Sequence, residues 1–187
     1  MQAIDLLLQR TSGRTLTEPA PTAAALELMF ASAARAPDHG RLRPWRFVVI
    51  DTAARAAFGD LLAAQLQRTH AAMSAESLQR ERQKAFRAPM IVVVAAHTTP
   101  GVKIPVIEQL LSAAAAAQAL LLAAAALGFS GVWKTGAAAY DETVKAALGL
   151  EAHDVIVGFV YLGSEAPAEP PAPREWRDLV RHWQPVR

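Results

Sequence analysis

The sequence predicts one domain of mixed α and β structure, on three observations. Four short apolar, β-branched runs alternate with helical patterns. A long Ala-rich stretch carries no charge. No repeat or internal linker divides the 187 residues, a length that suits one sizeable core. Alternation alone leaves the class as α/β or α+β.

The elements follow in chain order. Residues 2–10 read as a short helix with Ile4, Leu7 and Leu8 on one side. Arg10 to Arg14 forms a turn containing Gly13, and Glu18-Pro19-Ala20-Pro21 is extended. Thr22 caps a helix from Ala23 to Arg35, which Pro37-Asp38-His39-Gly40 breaks. Trp45 to Ile50 is a strand. Ala53 to Ala72 and Glu76 to Phe86 are helices joined by the polar connection Arg68 to Ser77. Ile91 to Ala96 is a buried strand. Pro105 to Leu127 is a long helix with Pro near its start and Gly128 at its end. Strands at Gly131 to Lys134 and Val155 to Leu162 flank a helix from Asp141 to Leu148. Ala166 to Pro173 is an extended tail, and Glu175 to Trp183 reads as a short terminal helix.

Leu110 to Leu127 is 18 residues without a charge, the length of a transmembrane candidate. Ser112, Gln118 and the Ala-rich composition favour a helix buried in a soluble core, as does the turn and strand that follow directly. Its small side chains suit either the centre of the monomer or a tight dimer interface. The N-terminus, with Asp5 in a short apolar run, does not read as a signal peptide.

Composition removes several functions. Apolar residues make up 52% of the chain, which argues against disorder, and a net charge of +2 argues against a dedicated nucleic-acid binder. There is no cysteine, hence no disulfide, thiolate metal site, iron–sulfur cluster or Cys nucleophile. That absence fits a cytoplasmic protein. The five histidines show no metal-ligand spacing. No G-x-G-x-x-G, P-loop or G-x-S-x-G motif is present.

Three polar clusters remain. Arg10-Thr11-Ser12-Gly13-Arg14 sets two guanidiniums and two hydroxyls at a helix-to-turn junction, suited to phosphate or to a solvated helix end. The loop from Arg35 to Trp45 holds three Arg, His39 and Trp45 around two prolines, suited to a rigid binding loop or to a basic surface. Gly131 to Gly136 offers Trp133, Lys134 and Thr135 between glycines, as a ligand segment or an edge strand. Each cluster supplies cations and hydroxyls, and none supplies a nucleophile–base pair. Together they fit a phosphorylated cofactor that carries the chemistry itself.

These segments resemble the FMN-dependent nitroreductase family. Arg10-Thr11-Ser12-Gly13-Arg14 is similar to its R-R-S-x-R opening. Ala36-Pro37-Asp38-His39 with Pro44-Trp45-Arg46-Phe47 is similar to its A-P-S-x-x-N-x-Q-P-W segment, and Gly131 to Gly136 to its late flavin segment. The A-P-D-H form and the length resemble the compact NAD(P)H nitroreductase subgroup, with order and spacing kept from Arg10 to Gly163. The resemblance implies an α+β fold with a central mixed, mostly antiparallel sheet flanked by helices, and the Ala-rich helix buried at a homodimer interface. It implies one FMN in each of two shared clefts, with NADH or NADPH as electron donor. Arg10, Thr11 and Ser12 would contact flavin, and Arg14 its pyrimidine edge. Arg35 and His39 would reach across the dimer. Trp133, Lys134 and Thr135 would complete the pocket, with Lys134 near the phosphate. Ala123, Ala124, Ala125, Ala126, Leu127 and Gly128 would lie at the nicotinamide nucleotide. No residue is implied as an obligate acid or base.

The chain departs from the pattern where Thr11 replaces a common Arg, and where Arg41 and Arg43 replace Asn and Gln. Arg only donates hydrogen bonds, so the contacts there change, and the pocket becomes more basic if these side chains face it. The implied activity is reduction of nitroaromatic, quinone or related electrophilic acceptors. A flavin enzyme with a dedicated substrate, or a flavin-binding interaction protein without turnover, fits the same residues.

Overall fold

The computed structural model describes residues 2–166 and 171–185. Six helices and four strands follow in the order α1 (Ala3–Gln9), α2 (Ala23–Ala33), β1 (Trp45–Ile50), α3 (Arg55–Thr69), α4 (Ala75–Gln83), β2 (Met90–His97), α5 (Val106–Ala126), β3 (Ser130–Lys134), α6 (Glu142–Ala147) and β4 (Asp154–Gly163). The four strands form one sheet in the order β1-β2-β4-β3. Every pairing is antiparallel. The class is therefore α+β, and among the described residues the sheet has no parallel component.

Side-chain alternation along the central strands builds two cores. Ile91 and Val93 of β2, with Phe159 and Tyr161 of β4, face Phe58, Leu62 and Val144 from α3 and α6. Val92 and Val94, with Val160 and Leu162, face the opposite layer made by α2 and α5. Both faces of β2 are covered, which is why its sequence is continuously apolar.

α5 is long and apolar enough to cross a membrane by length and composition. Here it lies in the second core. Ala113, Ala116, Ala117, Leu120 and Ala124 are buried, and the small side chains let α2 and the sheet approach closely. Its other side keeps Ile107 and Leu111 exposed.

Thr22 caps α2 as expected, its hydroxyl accepting from the Ala25 N–H. Two expectations change. Arg68 belongs to the end of α3 rather than to a free connection, and its guanidinium meets Asp141, the N-cap of α6, at 2.6 Å. The expected C-terminal helix over Glu175 to Trp183 is only a 3₁₀ turn, Arg177–Leu179. Trp176, Leu179 and Trp183 are exposed, so no core face stabilises a longer helix within this chain. Part of the expected extended tail, residues 167–170, lies outside the described residues.

Candidate functional site

The segment that follows α1 is laid against the ends of β3 and β4. The Gly13 N–H donates to the Gly131 carbonyl at 3.0 Å, and Thr17 and Ser164 exchange two backbone hydrogen bonds at 2.8 Å. Gly13 suits this approach, because a Cβ there would stand 2.6 Å from the Ser130 hydroxyl and from Leu16 and would force those side chains to shift. The Glu165 carboxylate accepts from the N–H groups of Arg14 (2.7 Å) and Thr15 (2.9 Å) and from the Ser130 hydroxyl (2.9 Å). Burial alone would raise its pKa. The Thr15 and Arg14 N–H groups, the Ser130 hydroxyl and the Arg14 charge outweigh burial and lower it.

This arrangement opens a cleft of about 300 Å³ between the end of α1, the C-terminal half of α5 and β3. Arg10 and Thr11 line it with Ala125 and Gly128, which brings members of two predicted groups together. Leu121, Ser130 and Glu165 line it as well. Among the described residues, the Arg10 guanidinium and the Thr11 hydroxyl have no protein hydrogen-bond partner, while the Glu165 carboxylate has three. The unengaged side-chain donors of the cleft thus include a cation, a hydroxyl and the Gln9 amide, a set that fits a phosphorylated, polyol-bearing ligand such as FMN.

The other predicted residues stand apart from this cleft. Ser12 and Arg14 are exposed beside it. Trp133 turns inward: its indole packs against the α5 core layer and donates to the Val157 carbonyl at 3.3 Å. Gly158 leaves the room for that ring, since a Cβ there would collide with the indole. Lys134 and Thr135 follow at the far end of β3.

Arg35 and His39 lie at the opposite end of α5. The Ser112 hydroxyl donates to the Pro37 carbonyl at 2.7 Å, and His39 Nδ1 meets Glu108 at 2.6 Å. Ser112 precedes Leu121 and Ala125 by nine and thirteen positions, which at the helical rise is roughly 14 to 20 Å along the axis. Within one chain, this loop and the Arg10 cleft are separated by most of a helix.

Glu165 and Ser130 were missed by the sequence reading. Ser130 adjoins a recognised segment and was within reach. Glu165 is one acid after the last strand, with no neighbouring motif to mark it.

The nitroreductase family model matches residues 7–164. This chain belongs to the nitroreductase family. Among curated proteins, "Putative NAD(P)H nitroreductase YdjA" of Escherichia coli (strain K12) is 38% identical over 164 residues, 88% of each chain. A Haemophilus influenzae protein named as an NAD(P)H nitroreductase in the same terms is 38% identical over 165 residues, 88% of this chain and 89% of its own. The nitroreductase fold recurs in solved structures. A nitroreductase-like family protein from Bacillus cereus superposes with a TM-score of 0.82 at 21% identity, over 98% of this chain and 97% of that one. A nitroreductase with bound FMN from Bacteroides fragilis NCTC 9343 gives 0.75 at 19% identity, over 98% and 100%.

Proposed function

We propose that this protein is an FMN-dependent oxidoreductase that uses NADH or NADPH to reduce nitroaromatic, quinone or related electrophilic acceptors. The observation that carries this reading is the cleft in which Arg10 and Thr11, both without protein partners among the described residues, face Ala125 and Gly128. The family membership and the FMN-bound relative of the same fold support it. The chemistry that the flavin supplies when bound is two-electron transfer between nicotinamide and acceptor.

The chain's own residues bind, orient and balance charge. Arg10, Thr11 and Ser12 would contact the flavin phosphate, ribityl chain or ring edge. Arg14 offers a cation to negative charge on the pyrimidine edge. Lys134 and Thr135, at the far end of β3, would lie toward the phosphate, while Trp133, turned into the core, would support that wall from behind. Of Ala123 to Gly128, the cleft-lining Ala125 and Gly128 and the exposed Ala126 and Leu127 would present a small-residue surface to the nicotinamide, with Ala124 buried beneath them. No side chain is assigned a proton-transfer or covalent role.

The protein works as a homodimer in this reading. Arg35 and His39 are too far along α5 to serve the Arg10 cleft of their own chain, so they serve that of a second copy. Exposed Ile4, Leu7 and Leu8 on α1, Ile107 and Leu111 on α5, and Trp176, Leu179 and Trp183 in the tail provide apolar surface for the association. A cytoplasmic location goes with this reading.

The purified protein should be yellow, dimeric by sedimentation, and bleached anaerobically by NADH or NADPH. A colourless protein that takes up no added FMN overturns the proposal. Bound FMN that neither nucleotide bleaches leaves a flavin-binding module without turnover, a reading favoured by the lack of polar side chains from Ala123 to Gly128. Turnover confined to one acceptor class would instead mark a dedicated substrate.

A further inference from the structure

α1 carries no buried residue, so within one chain its packing does not fix Arg10 at its C-terminal end. The position of Arg10 and Thr11 depends on the segment that follows them. That segment is tied down at three successive points: Gly13 to Gly131, Arg14 and Thr15 to Glu165, and Thr17 to Ser164. The middle tie is made by a side chain rather than by backbone. The same carboxylate reaches the Ser130 hydroxyl, so it joins three stretches of chain far apart in sequence. Gly13 suits this closure, because a Cβ there would crowd both the Ser130 hydroxyl and Glu165 Oε2. A carboxylate in the wall of an anion-binding cleft would ordinarily oppose its ligand. Here Oε1 accepts two N–H groups and Oε2 the Ser130 hydroxyl, and among the described residues the carboxylate makes no hydrogen bond to the Arg10 guanidinium.

We infer that Glu165 is a positioning residue of this cleft: its carboxylate pins the turn after α1 to the start of β3 and so holds Arg10 and Thr11 at the cleft wall. The inference rests on the flavin reading above. Glu165 lines the cleft, but its carboxylate hydrogen-bonds the chain itself, and it acts through Arg10 and Thr11. A Gln side chain keeps the length and one carbonyl oxygen for the Arg14 and Thr15 N–H groups, and its amide can donate to Ser130. An Asp side chain is one methylene short of the same reach.

The test measures FMN dissociation constants of the full-length apoprotein by flavin fluorescence. It compares wild type, Glu165→Ala, Glu165→Asp, Glu165→Gln, Arg10→Ala and the double variant Glu165→Ala/Arg10→Ala. Glu165→Ala and Glu165→Asp should weaken binding about tenfold, the equivalent of one hydrogen bond to a charged group. Glu165→Gln should recover most of that loss, and it carries the test if the Ala variant does not fold. The double variant should bind little worse than Arg10→Ala alone, because once Arg10 is removed there is less for Glu165 to position. Unchanged affinity in the Glu165 variants overturns the inference even if their melting temperatures fall, since that is a structural tie and no more. Fully additive losses overturn it too. Tighter FMN binding by Glu165→Ala would show a carboxylate that merely repels the ligand, and also overturns it. A wild-type protein that binds no FMN overturns the flavin reading itself and the inference with it, a result distinct from the other three.

Discussion

The turn after α1 and the loop from Arg35 to Arg43 are two basic segments of the chain, and they are held in opposite ways. The first borrows its structure from elsewhere: β3, β4 and Glu165 supply its partners. The second is braced largely from within. Asp38 accepts from the N–H groups of Leu42 (3.0 Å) and Arg43 (2.8 Å), while α5 adds ties through Ser112 and Glu108 and β1 adds one from Arg46 to the Arg43 carbonyl. Arg41 and Arg43 both adopt left-handed backbone, with φ of 55° and 49°. Side chains make that conformation costly, and the Asp38 bonds offset it. The first segment faces a cleft of its own chain. The second holds its shape at the far end of α5 from that cleft, which suits the proposed service to another subunit.

Five experiments would break or sharpen this contrast. The largest effect is expected at the first segment. Arg10→Ala should cost FMN binding roughly 1.5–3 kcal/mol, as for a hydrogen bond to a charged group. Arg35→Ala should also weaken FMN. A mixed dimer of one Arg10→Ala chain and one Arg35→Ala chain should then regain one tight site of its two, read by titration of the purified heterodimer. Recovery of neither site would mean that the second loop does not serve a partner.

Next comes the internal brace. Asp38→Ala removes two charge-assisted hydrogen bonds from a strained loop and should lower stability by about 1–2 kcal/mol in urea unfolding. A smaller gain is expected from Arg41→Gly, since glycine adopts the left-handed region freely. Part of that relief is lost to the greater freedom of glycine in the unfolded chain, leaving an expected gain of under about 1 kcal/mol. A loss instead would show that the Arg41 side chain, not the backbone, is what the loop needs.

The smallest effect is a pH dependence that belongs to the first segment. The carboxyl of Glu165 is held below its ordinary value by Thr15, Arg14 and Ser130 against the opposing effect of burial. A lowered folded-state pKa contributes stability that is fully present above the unfolded value, about 4.5 for a glutamate, and is lost as pH falls through the depressed one. Thermal melts between pH 6 and 3 should therefore show wild type losing more stability than Glu165→Gln. Asp141, lowered by its Val144 N–H and Arg68 partners despite burial, contributes in the same direction in both proteins, so the comparison isolates Glu165.

Much of the fold was legible because local pattern and tertiary burial agree. Val92, Val93 and Val94 read as a buried strand and are one, since both faces of β2 are covered. Thr22 reads as a cap and acts as one. The terminal helix failed for the opposite reason: the pattern around Trp176 to Trp183 is apolar enough, but among the described residues nothing in the same chain receives it. In the candidate site, Arg10 and Thr11 were legible from residue type and the family resemblance. Trp133 was legible as a neighbour but not as a residue turned toward Val157. Glu165 was not legible, because an isolated acid after a strand carries no local signal.

The sequence by itself determined the mixed α and β class, the central strands, the long Ala-rich helix and the basic segments, because each depends on residue type and short-range periodicity. Only the tertiary structure decided which of those segments meet. Contacts such as Glu165 with Arg14, 151 positions apart, depend on how four strands order themselves in a sheet. Separation of the Arg10 cleft from the Arg35 loop likewise follows from the length and placement of α5 rather than from anything either segment contains.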